Sequence, residues 1–379
     1  MFSMLLLSQF FACKGCQENQ IIDQGKLQDT ADVFSNDWGR WLDMTTINDG
    51  PAVVYYDTTR GAIGLATGTV SGSDVLWNHE EIDGYPNEQG LDEGDRGLFA
   101  SIEVDSSGTI WVAYYDAGLK NLRYATKSAE ATEWTRAVAD SGTGGSPDVG
   151  LFADLALDDN GYPVVAHYDQ SRNTLRVSHW DGSAFSSEVV DEGESVSVDE
   201  TTTIDANVGK FPSVTIFNGT EYISYYDVAS GSLKLATGTS GNYAIEVVDD
   251  SVNAGQWTSI QMHNETIYIT FHDVENNQLK IASGLPGSFA IETIDQGEAI
   301  GADTELLITS TAMYVAYHDG YNNDIKLATK TGDGDWNIST LDGADHALGF
   351  HNELIDINGA IYAACYNFTD QTVWFQQVQ

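Results

Sequence analysis

Positive charge is scarce in this sequence. Sixteen Lys and Arg stand against 57 Asp and Glu in 379 residues, giving a formal net charge of −41 and a pI near 4.1. Nucleic acid is excluded as a partner, because phosphate contacts need a basic face. Electrostatic docking on anionic lipid is excluded for the same reason. Cysteine is nearly absent, with only Cys13, Cys16 and Cys365. A disulfide-stapled fold is therefore excluded, and Cys365, inside an apolar strand pattern, reads as a small buried hydrophobe. Long hydrophobic runs are missing too. Beyond the amino terminus no segment approaches 18 apolar residues, so no membrane-spanning helix is expected there. There is no Gly-rich phosphate loop and no HExxH zinc motif, and the one Cys-x-x-Cys pair lies in the leader. The chain is, however, 42% hydrophobic and 11% aromatic, enough for a large core.

A strand-like run that ends in an aromatic or His followed by Asp recurs seven times. The first copies are Val53-Val54-Tyr55-Tyr56-Asp57, Val112-Ala113-Tyr114-Tyr115-Asp116 and Val165-Ala166-His167-Tyr168-Asp169. Later copies end at Asp227, Asp273, Asp319 and Asn367. Successive spacings are 59, 53, 58, 46, 46 and 48 residues, the length of one propeller blade. Six residues after each Asp or Asn stands an aliphatic residue, from Ile63 to Val373, and a constant offset means a constant hairpin. A strand opened by Gly and an aromatic precedes most copies (Gly39-Arg40-Trp41, Gly97-Leu98-Phe99), with a degenerate version at Gly301 to Leu306. A fourth strand ends aliphatic–Asp, as in Ile82-Asp83 and Val248-Asp249. The last copy lacks this fourth strand, and Ile21-Ile22-Asp23 supplies its echo at the other end of the chain. Pairing Ile21–Ile22 with Val373–Phe375 would close a ring and remove its exposed edges.

The pattern resembles an all-β, seven-bladed β-propeller of four-stranded antiparallel blades over residues 20–379. Residues 1–19 are then a leader and tether. Met1 to Ala12 has the length of a secretory apolar region. Phe10-Phe11-Ala12-Cys13 resembles a bacterial lipobox, which implies lipidation of Cys13 and an exported bacterial outer-membrane lipoprotein. A plain signal peptide on an extracellular protein, or a misassigned start, is the alternative. The turn Asp105-Ser106-Ser107-Gly108-Thr109-Ile110-Trp111 is similar to the Asp-box of sialidase-like propellers.

The repeated Asp57, Asp116, Asp169, Asp227, Asp273 and Asp319 are read as scaffold. Five of the six have Lys or Arg seven residues later, so a hairpin ion pair or a turn cap explains them. Candidate ligand-binding residues come from the innermost strands: Arg40, Arg96 and Lys210 at their entry, and Asp43, Asp154, Glu305 and Glu353 along the channel. Four channel carboxylates could attract Ca²⁺ or a cationic group, or could bond the neighbouring blade. No resident cofactor is otherwise expected. His272 and His318 take the Tyr position of the repeat and read as packing variants, while His346 and His351 lack a third metal ligand. Sialidase-like chemistry asks for three convergent arginines, and a third equivalent to Arg40 and Arg96 is not evident. The expected function is a monomeric recognition module for a glycan or protein on the loop face, touching the membrane only through its lipid anchor. A glycan-cleaving hydrolase and a structural envelope module are the alternatives.

Overall fold

The computed structural model describes residues 37–71, 74–85, 94–199, 201–342 and 346–379. Among them there is no helix. Seven antiparallel sheets follow one another along the chain, each with its strands in sequence order. We number them blades 1 to 7, at residues 38–83, 96–140, 149–191, 208–249, 254–296, 300–340 and 350–377. Blades 1 to 6 have four strands. Blade 7 has three among the described residues, Phe350–Ile357, Ala360–Asn367 and Thr372–Gln377. The expected pairing of Ile21–Ile22 onto blade 7, like the whole leader and tether, lies outside the described residues. A two-stranded ribbon, Val196–Ser197 with Thr203–Ile204, stands between blades 3 and 4.

The ring closes between blades 7 and 1. The Trp38 amide donates to the Gln371 carbonyl at 3.1 Å, and the Tyr366 hydroxyl donates to Asp37 at 2.6 Å. Leu42, Val53 and Tyr55 of blade 1 share one apolar cluster with Tyr362, Val373 and Phe375 of blade 7. The other clusters are built the same way, from facing sides of adjacent blades, as where Val54 and Ile63 meet Val112 and Tyr114. The core is thus a set of wedge interfaces. Second strands such as Gly50–Asp57 and Pro163–Asp169 are buried along their whole length, because both their faces are covered.

Each innermost strand begins with a glycine at positive φ, such as Gly97 at 115° and Gly150 at 102°. The glycine is required by proximity as well: a Cβ on Gly150 would lie 2.8 Å from the Leu122 Cα of the preceding blade. Two residues later the backbone turns left-handed again, at Trp41, Phe99, Phe152, Phe211, Trp257, Asp303 and His351, all with φ between 50 and 54°. The pairing register slips at these points, so each is a bulge. The stretch Gly301 to Leu306, degenerate in sequence, makes the same bulge as the others, with Asp303 in the aromatic's place.

The repeated Asp residues cap the turn between second and third strands. Asp57 accepts the Thr59 and Arg60 amides, Asp273 the Asn276 amide, and Asn367 the Thr369 and Asp370 amides. The cation of the third strand then bridges two blades. Lys234 lies 2.8 Å from Asp227 of its own blade and 3.3 Å from Asp191, which ends blade 3. Lys280 joins Asp273 to Asp249, Lys326 joins Asp319 to Asp295, and Arg123 joins Asp116 to Asp83. The Tyr114, Tyr225 and Tyr317 hydroxyls donate to the same fourth-strand carboxylates. Cys365 is a fully buried free thiol inside an apolar cluster, and burial pushes it up to about 12.

Candidate binding site at the channel mouth

The bulges aim seven side chains at the axis of the ring, and six are aromatic. Trp41, Phe99, Phe152, Phe211 and Trp257 follow in order with neighbouring ring centres 4.1, 4.7, 4.7 and 4.4 Å apart. His351 packs on Trp41 at 4.2 Å from the other side. Asp303 stands between Trp257 and His351 as the single carboxylate in this collar. Its side chain accepts the His351 backbone amide, and burial pushes it up to about 7. Burial, with Arg40 nearby, pushes the His351 imidazole down to about 3, so it is neutral.

The collar and the strand residues that follow it enclose a cavity of about 430 Å³, within the range of roughly 300–1,000 Å³ common for small-molecule sites. The candidate residues Asp43, Asp154, Glu305 and Glu353 all line it, and Glu103 joins them from two residues further along its strand than Ser101. Two of the four occupy a structural position as well. Asp43 accepts the Ile102 amide at 2.7 Å, and Asp154 accepts the Val214 amide at 2.6 Å. Ser101, Ser213 and Ser259 do the same for Leu155, Ile260 and Leu306. Each side chain stitches its blade to the next. Ser259 also donates to Glu305 at 3.0 Å, and Glu353 is hydrogen-bonded to Asp43.

So many carboxylates in one poorly solvated channel cannot all ionise. Burial raises Asp43, Asp154, Glu305 and Glu353 alike, Asp154 to about 7, and takes Glu103 to about 8. Among the described residues no three His, Cys, Asp or Glu side chains converge on a point that would hold a metal ion. His346 faces Asp342 and Asp370 at 3.5 and 3.7 Å, away from the collar that contains His351.

The basic candidates are not in the cavity. Arg40 pairs with Asp37 at 2.9 Å and lies over the Tyr366 ring at 5.1 Å. Arg96 bridges Asp83 at 2.7 Å and Asp116 at 3.1 Å. Lys210 sits 5.6 Å from the Tyr168 ring centre, and burial lowers its pKa. The remaining arginines all belong to blades 1 to 3 and are held by the protein itself: Arg60 on Asp57, Arg123 on the Asp83 that Arg96 also meets, Arg136 on the Ile82 carbonyl, Arg172 on the Thr143 carbonyl and Arg176 on Asp140. The Asp105 turn has its carboxylate bonded to the Ser107 and Thr109 amides, and Asp158 of blade 3 makes the same turn with Asn160 and Tyr162.

Two elements of the site were not singled out from sequence: the collar as a unit, and the members Asp303 and Glu103; His351 was noted only as a metal-ligand candidate beside His346. The signal available was the Gly-x-aromatic spacing. Strand alternation alone does not send that aromatic to the channel, because the bulge shifts the parity of the strand.

The fold and the cavity on its axis define a seven-bladed β-propeller with its concave site at the channel mouth. No family model matches the sequence, and no curated protein matches it. Solved structures match the fold. The polysaccharide lyase Uly1 superposes with a TM-score of 0.53 at 9% identity, over 96% of this chain and 93% of that one. A prolyl endopeptidase gives 0.52 at 10% identity, over 88% of this chain and 49% of the peptidase. A leech intramolecular trans-sialidase complexed with 2,7-anhydro-Neu5Ac gives 0.50 at 10% identity, over 95% and 70%. At these identities the shared property is the propeller itself.

Proposed function

We propose that this protein is a non-catalytic recognition propeller that takes a glycan into the collar at its channel mouth. The observation that carries the reading is the collar: five aromatic rings and an imidazole arranged around a cavity large enough for a sugar ring or two, with polar groups immediately below. Aromatic carbon surface suits the C–H face of a sugar, and the carboxylates and serines beneath offer hydroxyl partners. The carbohydrate-active proteins among its fold neighbours use the same scaffold. The arginines are engaged by the protein's own carboxylates and carbonyls, Arg96 and Arg123 sharing Asp83, and none lines the cavity, which weighs against a sialidase-like reaction that needs them to converge on a substrate carboxylate. A glycan array with the wild type and with Trp41→Ala/Trp257→Ala tests the reading. Glycan binding by the wild type, lost in the variant at unchanged melting temperature, is the expected result. No bound glycan at any ionic strength refutes it.

We further propose that the chain is exported and tethered through a lipid on Cys13, as the lipobox-like leader implies. Metabolic fatty-acid labelling that survives Cys13→Ala would remove that part of the proposal.

A further inference from the structure

The charge around the cavity narrows the class of glycan, given the reading above. Six carboxylates line it, from Asp43, Glu103, Asp154, Asp303, Glu305 and Glu353, and no Lys or Arg does. Its one imidazole, His351, is neutral. A uronic or sialic acid would bring a further negative charge into this setting with no cation to meet it, and burying an unpaired charge is costly. Aromatic faces add to the bias, since their quadrupoles attract cations and repel anions.

Asp303 is where the collar departs from its own repeat. The other positions are Trp, Phe, Phe, Phe, Trp and His, and each closes a ring contact with a neighbour. Asp303 breaks the belt between Trp257 and His351, and its carboxylate is met from the protein by one backbone amide. The backbone bulge there is the same as in the other blades, so the fold would accept an aromatic at this position. A carboxylate with acceptor capacity left over, set between aromatic rings at the mouth of a carboxyl-lined cavity without cations, is complementary to an ammonium group carried on a ring.

We propose that the collar selects amino sugars with a protonated primary amine, with Asp303 receiving the ammonium and the aromatic collar receiving the sugar ring. An N-acetyl group on the same sugar removes the charge and adds bulk at that point, and a plain hydroxyl supplies a weaker partner.

Titration calorimetry on the full chain at pH 7 and low salt, where the amine of the sugar is still largely protonated, tests this with four oligosaccharides of equal length. They are glucosamine, N-acetylglucosamine, glucose and galacturonic acid tetramers. The glucosamine tetramer is expected to bind at least tenfold tighter than the neutral two, and the galacturonic tetramer not to bind. Asp303→Asn should lower affinity for the glucosamine tetramer at least tenfold and leave the neutral tetramers within twofold. Asp303→Phe should abolish glucosamine binding at an unchanged melting temperature. If the neutral tetramers bind as well as the glucosamine one, or Asp303→Asn changes nothing, the amino-sugar inference falls while glycan recognition stands. If a Lys-rich peptide binds and no oligosaccharide does, both fall.

Discussion

Asp154 offers the sharpest test of the channel's electrostatics. Its carboxylate stitches blade 3 to blade 4 through the Val214 amide, and burial raises it to about 7. The same stitch is made in blades 2, 4 and 5 by Ser101, Ser213 and Ser259. Asp154→Ser therefore keeps an acceptor of a kind the ring already uses and removes one ionisable group. In the unfolded chain an Asp titrates near 3.9. With the folded value higher, the native state holds more protons than the unfolded state between pH 4 and 7, so this group lowers stability as pH rises through that window. A gap of about three pH units at about 1.4 kcal/mol each gives a ceiling near 4 kcal/mol, which channel water reduces to about 2–4 kcal/mol. The groups facing Asp154 across the channel are Asp43, Glu103, Glu305 and Glu353, all acidic, so none of them reverses the sign. Urea unfolding of wild type and variant from pH 4 to 8.5 measures the effect. At pH 4 the variant should be less stable by about 1 kcal/mol for its weaker hydrogen bond. At pH 8 it should be the more stable protein. A difference between the two proteins that stays constant across this range would refute the reasoning.

Lys280→Met strands the buried carboxylates of Asp273 and Asp249 against each other, and should cost about 3–5 kcal/mol in urea unfolding. Adding Asp273→Asn and Asp249→Asn should recover part of that loss, and no recovery would show that the charge is not the cause. Gly150→Ala places a Cβ against the Leu122 backbone at positive φ, with an expected loss of about 2–4 kcal/mol. A melting temperature within a degree of wild type would contradict the close blade contact. His272→Tyr together with Ala299→Asn rebuilds a pair found elsewhere in the ring, and a double-mutant cycle should give a favourable coupling of about 1 kcal/mol; additive single effects would argue against the contact.

The ring was legible because its period and hairpin offsets repeat. Tyr55-Tyr56-Asp57 and its copies fix the second strand, and Ile63 and its copies fix the register of the third. The scaffold role of the repeated Asp was legible for the same reason. The cross-blade partner of each cation was not. Lys234 stands seven residues after Asp227, which suggests a bond within the hairpin, and that bond exists at 2.8 Å. The second carboxylate, Asp191, comes from the end of the preceding blade and meets Lys234 only once the wedges pack. The collar was hidden by local backbone geometry: a left-handed residue at Trp41 or Phe99 breaks the alternation by which a strand's inward face is read from sequence.

The repeats also align with one another, and that alignment shows where the ring stops serving itself. The last Tyr of each second strand reaches the residue two before the next blade's opening glycine. Tyr56 donates to Asp95, Tyr115 to Asp148, Tyr168 to Asn207 and Tyr366 to Asp37, while Tyr226 bonds Asn253. In two blades the acceptor is Ala299 or Ala347, and in those same two the Tyr is replaced by His272 or His318. Both partners of the contact have changed together. Neither ring nitrogen of His272 has a partner, and burial lowers both imidazoles to about 4, so they pack as neutral rings. Loss of a blade-to-blade hydrogen bond weakens a junction, and here two consecutive junctions have lost it. The collar changes in the same sector, to Asp303 and His351. A scaffold held only by the needs of closure would keep all seven junctions alike. Departures gathered in blades 5 to 7, on both the junctions and the channel wall, mark the sector that, under the proposed glycan reading, would distinguish one ligand from another.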